Sequence, residues 1–182
     1  MHCCWLPHAV QLNWNNYSER TFEGILSSDC FSAYNPQAAA AKQKCLAHLE
    51  RDLEALKTSR FAGNQQFQEQ VGQVLSQARQ AYRDYHALKL SAQQLQQQRP
   101  IIECQLQAVL DKPPDRGWPA DAQRLANRIK RHWDEWFTFL SHPQVKPDNN
   151  DAERALRPVV VHRKVSGGAR SDWGARISRA DV

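Results

Sequence analysis

The residues best suited to chemistry lie in PDNNDAERALRPVVVHRK, Pro147 to Lys164, where Glu153 stands among Arg154, Arg157, Arg163 and Lys164. Pro147 halts what precedes it, Asp148, Asn149 and Asn150 are strong N-cap types, and Pro158 is expected to end the turn that AERALR begins. Glu153 then falls in the first turn of a short helix. Arg154 and Arg157 lie three apart on one face, and with Arg163 and Lys164 they point to an anionic partner. A carboxylate held among cations suits metal and phosphate chemistry. The same spacing has a purely structural reading: with Asn150 as N-cap, Glu153 sits at N3, where its carboxylate bonds back to the cap N–H as in a capping box. Spacing alone favours that structural role.

The second candidate is Asp29, just past FEGILSS (Phe22 to Ser28), which reads as a short buried strand centred on Ile25 and Leu26. A strand terminus is where α/β folds commonly place catalytic groups, and it is also an ordinary place for an Asp in a turn or cap. Phe31 and Tyr34 are expected to anchor the turn SAYNP. His48, Arg51 and Asp52 follow closely in sequence. They could line a pocket with Asp29 or form a solvated helix face, the latter suiting Asp52 better than Arg51.

These groups must be positioned by helices. From Ala38 to Leu56 the positions Leu46, Leu49, Leu53 and Leu56 recur at steps of three and four, one face of a helix. Gln65 to Arg99 is Gln-rich and helical, with a narrow apolar stripe of Phe67, Val71, Leu75, Ala78, Tyr82, Tyr85 and Leu95 that suits a helical hairpin or partial coiled coil. Pro100 is expected to interrupt it, Ile101 to Leu110 to resume it, and LDKPPDRGWP to break the chain most clearly. Ala120 to Leu140 reads as one more helix with Leu125, Ile129, Trp133, Trp136 or Phe137, and Leu140 on its core face. The first 21 residues show no clear period and lack the pattern of a signal peptide. The tail from Val165 onward has too few apolar residues for a packed helix.

With 182 residues there is room for one domain with a real core. A hydrophobic content of 41% and a mean hydropathy of -0.71 go with a soluble chain, and no apolar run approaches the roughly 18 residues of a membrane span. A net charge of +5 favours an acidic partner such as nucleic acid without deciding it. Five cysteines, without CxxC pairs or a secretory signal, argue against a disulfide framework and for a reducing cytoplasm. Cys45 and His48 form a C-x-x-H pair, but zinc needs about two more ligands and no matching pair follows, so both are read as packing or contact residues.

Three stretches together, SSDCFSAYNP (Ser27 to Pro36), KQKCLAHLERDLEAL (Lys42 to Leu56) and DNNDAERALRPVVVHRKVSGG (Asp148 to Gly168), resemble the catalytic region of bacterial insertion-sequence transposases of the sixty-six family. The resemblance runs from about Phe22 to Trp173. It implies a DDE enzyme with a ribonuclease H-like fold, so the expected class is α/β tending to mostly α, a partial core carrying a helical insertion at about 57–146 between an unrelated segment 1–21 and an irregular tail 174–182.

What the resemblance implies chemically is DNA cleavage and strand transfer at transposon ends, with Mg²⁺ or Mn²⁺ held by three carboxylates. Asp29 matches the family's second Asp and Glu153 its Glu. The resemblance thus tips Glu153 from cap to ligand and makes Arg51, Arg154, Arg157, Arg163 and Lys164 DNA contacts. No Asp precedes Asp29 here, and the upstream acids are Glu19 and Glu23. The first Asp of the triad is therefore missing. The expectation is a cytoplasmic transposase fragment, truncated at both ends and inactive alone, that binds DNA and a full-length transposase or itself. The alternative is a non-catalytic interaction module acting through its Gln-rich hairpin.

Overall fold

A computed structural model describes residues 22–165, and of Val159 and residues 162–165 the backbone alone. The N-terminal segment 1–21 and the tail beyond Val165 lie outside the described residues. Strand β1 (Phe22–Ser28) forms where FEGILSS predicts it, and it pairs in parallel with β2 (Ala39–Lys44), with Ile25 opposite Ala41 and Ser28 opposite Lys44. The sequence AAAKQK is a poor strand former, and its alanines suit the helix expected from Ala38. Pairing with β1 overrides that local preference, so the helix starts later.

Helix α1 (Leu46–Lys57) buries the predicted row Leu46, Leu49, Leu53 and Leu56. The Gln-rich stretch then folds as two helices, α2 (Ala62–His86) and α3 (Ala92–Asp111), the helical hairpin that its narrow stripe suits. Leu88, at φ +59, reverses the chain, and Ser91 starts α3 with a complete capping box: Gln94 N donates to Ser91 Oγ (3.2 Å) and Ser91 N to Gln94 Oε1 (2.8 Å). The apolar stripe faces inward from both arms, through Phe67, Val71, Leu75 and Ala78 against Leu95, Ile102, Leu106 and Leu110.

Pro100 does not interrupt α3. Its ring lies on the exposed face, so the helix loses a single backbone bond while Leu95 and Ile102 stay packed on either side of it. The opposite correction applies further on. The helix expected over Ala120 to Leu140 stops as α4 (Ala120–Arg131), followed by a 3₁₀ turn at Trp133–Glu135 and the single-turn α5 (Thr138–Ser141).

Side-chain bonds impose that break. Trp136 Nε1 donates back to the Ile129 carbonyl (3.0 Å), and the Thr138 hydroxyl to that of Lys42 (2.5 Å). The fully buried Gln43 completes the join, donating to the Trp136 carbonyl (3.0 Å) and accepting from Phe139 N (3.0 Å). Trp136, Phe137 and Leu140 are core, as expected. The small sheet is thereby welded to the helical body along β2.

The last element, α6 (Asn150–Val165), is longer than predicted because the helix continues through Pro158 instead of ending there. As at Pro100, a proline in a helix with its face exposed costs one bond and a local adjustment without stopping the chain. Arg154 and Arg157 therefore share one continuous helix with the backbone of Arg163 and Lys164.

Candidate functional site

The parallel pair, α1 and α6 meet at one end of the sheet. Where β1 finishes, the Ser28 carbonyl accepts from Cys45 N (2.8 Å), and the next residue, Leu46, donates its N–H to the Pro147 carbonyl (2.9 Å). Asn149 N in turn donates to Cys45 Sγ (3.4 Å). The ends of β1 and β2 and the starts of α1 and α6 are thus joined through Cys45, the N-cap of α1.

Asp29 is the first residue past β1. Its Oδ1 accepts from Phe31 N (3.0 Å), an Asx-type turn that aims the carboxylate as the chain leaves the sheet. From below, the fully buried Lys44 donates to the Asp29 carbonyl (3.0 Å) and to Ser28 Oγ (3.2 Å). Lys44 Nζ also lies 3.6 Å from Glu135 Oε2, and Glu135 Oε1 is 3.5 Å from His132 Nδ1. Burial, then the neighbouring Lys44 charge, holds the His132 pKa below its ordinary value against the pull of Glu135. Sequence reasoning missed Lys44 and Glu135, because each sat in a stretch read as uninterrupted helix.

Glu153 begins the second turn of α6. Its N–H donates to the Asn149 carbonyl (3.1 Å), which makes Asn149 the cap and puts Glu153 at N4 rather than the N3 expected with Asn150 as cap. A capping box is then out of register. The Glu153 carboxylate instead faces His48, Oε1 to Nε2 3.6 Å, from the first turn of α1.

Of the other sequence candidates, Arg51 is exposed on α1, and Arg154 and Arg157 are exposed on α6. Among the described residues these three take part in none of the ion pairs. The side chains of Arg163 and Lys164 lie outside the described residues. Asp52 goes elsewhere: it pairs with Arg128, beside the Asp121–Arg124 pair, in an open cleft between α1 and α4 that neither Asp29 nor Glu153 lines. Burial raises the Cys45 pKa despite the N–H bond from Asn149, so the group stays a thiol and serves as a packing and hydrogen-bonding link.

The donor set has the hardness a magnesium-type ion prefers, since such ions take one or two protein carboxylates and fill their remaining positions with water and substrate oxygens. Asp29 is half-buried and Glu153 exposed, so both can be reached. Among the described residues no group of three His, Cys, Asp or Glu side chains is close enough to hold an ion. Asp148 stands at the same junction, with its Oδ2 3.4 Å from Arg79.

The sequence signature of the Transposase IS66 family matches residues 11–177. The chain belongs to the IS66 transposase family. No curated protein and no solved structure matches it significantly. Membership in the IS66 family ties the chain to DNA transposition, and DDE transposases as a class use divalent metal ions and act on DNA. Among the described residues no helix is long and apolar enough to cross a membrane.

Proposed function

We propose that this chain forms part of a DDE transposase catalytic domain with a ribonuclease H-like core, its helical insertion spanning about 57–146, and that Asp29 and Glu153 are two of three carboxylates that hold Mg²⁺ or Mn²⁺. The observation that carries this reading is the junction at Cys45, which brings the end of β1, with Asp29 next to it, to the start of α6, one turn before Glu153. Two such ions would activate the attacking oxygen and stabilise the leaving one in cleavage and strand transfer at transposon ends.

The chain's own part is to orient. The Asx turn and Lys44 set Asp29, and the Asn149 cap sets Glu153. Residues 1–28 hold Glu19 and Glu23 but no Asp, so Asp29 and Glu153 are the two ligands this reading assigns. The chain acts in the cytoplasm on DNA, with a full-length transposase or a second copy of itself.

Arg51, Arg154, Arg157, Arg163 and Lys164 supply the phosphate contacts. Titrating duplex DNA over a range of salt tests this: log affinity should fall linearly with log salt, each phosphate contact adding about 0.9 to the slope. Replacing Arg154 and Arg157 with Ala should flatten the slope by about one contact each, whereas Glu153→Gln should leave it nearly unchanged. An affinity indifferent to salt, or unaltered in the double Arg variant, would remove DNA binding through α6.

A second reading, an interaction module built on the Gln-rich hairpin, draws on Leu88 at the hairpin tip (92% exposed) and Ile101 on α3, which is also exposed. Val71 and Leu75 are spent inside the chain's own core. Concentration-dependent sedimentation abolished by Leu88→Asp and Ile101→Asp would favour it, and a monomer at every concentration would count against it.

A further inference from the structure

We infer that Arg79 is a positioning residue for α6: its guanidinium ties the start of that helix to α1 and α2 and so sets where Arg154 and Arg157 stand against DNA, which rests on the reading of α6 as a DNA-contacting helix. Arg79 lies on α2 and reaches two other elements. Its Nε and Nη2 donate to the two carboxylate oxygens of Glu50 on α1 (2.5 and 2.9 Å), and its Nη1 donates to Asp148 Oδ2 (3.4 Å). The Arg79 and Asp148 side chains are each 21% exposed, so solvent screens the pair less than it would on an open face. The other oxygen of Asp148, Oδ1, accepts from the N–H of Asn150 (3.3 Å), the first residue of α6. One carboxylate thus links α2 to the opening turn of α6. The planar guanidinium, with donors on three nitrogens, serves both acids at once.

The direction in which α6 leaves the body decides where its cations stand. Leu46 N to the Pro147 carbonyl, Asn149 N to Cys45 Sγ and the buried Ala152 hold the first turn. Further along, Leu156 and Val160 are half-buried, while Arg154, Arg157, Pro158 and Val161 are exposed. The helix is therefore held mainly at one end. Its 16 residues span about 24 Å, so a tilt of about 10° at the cap carries the far end about 4 Å. Such a shift exceeds the reach of a hydrogen bond to a phosphate. The bonds from Arg79 to Glu50 and Asp148 oppose that tilt from the side of α2.

The test is binding of the full chain to a fluorescein-labelled random-sequence duplex, followed by anisotropy, with Arg79→Met and Asp148→Asn made in wild type and in a chain already carrying Arg154→Ala and Arg157→Ala. Arg79→Met fills similar space without the fork. Asp148→Asn keeps an oxygen for Asn150 N but removes the ion pair, and it takes an acid off the chain, which through charge alone would tighten DNA binding. Each substitution should instead weaken binding about fivefold in wild type and change it less than about twofold where Arg154 and Arg157 are already Ala, since residues acting through one another are not additive. Should Arg79→Met fail to fold, the sign of the Asp148→Asn effect decides by itself. Tighter or unaltered binding in Asp148→Asn would overturn the role of Arg79 and leave α6 a DNA contact. Equal losses in both backgrounds would reduce Arg79 to holding the fold. An affinity unaltered by Arg154→Ala with Arg157→Ala would overturn the DNA reading of α6, and the proposal with it.

Discussion

A fully buried ammonium lies beneath the end of β1. Lys44 faces Glu135 and is bonded to the Ser28 hydroxyl and the Asp29 carbonyl. Removing one member of a buried pair strands the other, whereas removing both often costs little. Lys44→Met should therefore destabilise the chain by about 3 kcal/mol in urea denaturation, and Lys44→Met with Glu135→Gln should recover about half of that. Strictly additive losses would mean that the two groups are not coupled. His132, packed against this pair and within reach of Arg131, adds a pH dependence. Its pKa is depressed in the folded chain, so the unfolded chain binds the proton more readily and stability falls as pH drops below about 6.5. Melting at pH 7.5 and 5.5 should show a lower midpoint at the acid end, and His132→Asn should lessen that difference.

At the scale of elements, the two described glycines of α2 make opposite predictions. A Cβ on Gly63 would lie 2.9 Å from the Pro119 ring, at the start of α4, while one on Gly72 would meet nothing closer than the Gln68 side chain at 3.6 Å. Gly72→Ala should stabilise the chain by about 0.5–1 kcal/mol through helix propensity. Gly63→Ala should instead destabilise it by about 1 kcal/mol, because the ring cannot yield as a flexible side chain does. Chemical denaturation of the two variants compares them directly.

Helix faces were readable where spacing alone decides burial. The leucines of α1, the stripe of α2 and the strand FEGILSS stand where their periods put them. Element ends were not. Pro100 and Pro158 signal helix ends, yet each sits on an exposed face where a single lost backbone bond is tolerated. The strand AAAKQK and the break after Arg131 are imposed by partners distant in sequence, β1 for the strand and Gln43 and Lys42 for the break. No local pattern carries that information.

For the molecule as a whole, a helical body is tied to a parallel pair through β2. Asp29 stood out in the sequence as a strand-terminal acid, and Glu153 as an acid among arginines. The contact of Glu153 with His48 was not visible, because a one-residue shift of the α6 cap turns the carboxylate from its own helix start toward α1. Family membership ties the chain to transposition, and the Cys45 junction joins the end of β1 to the start of α6 across the helices between them.

Whether Asp29 and Glu153 share an ion is best measured by iron-directed cleavage of the full chain. Fe²⁺ bound in place of Mg²⁺, with ascorbate and peroxide, generates radicals that cut the backbone nearest to the ion. Cuts should fall near both residue 29 and residue 153, and Asp29→Asn, Glu153→Gln or excess Mg²⁺ should suppress both together. Cuts confined to one of the two segments, or unchanged by either substitution, would contradict a shared site.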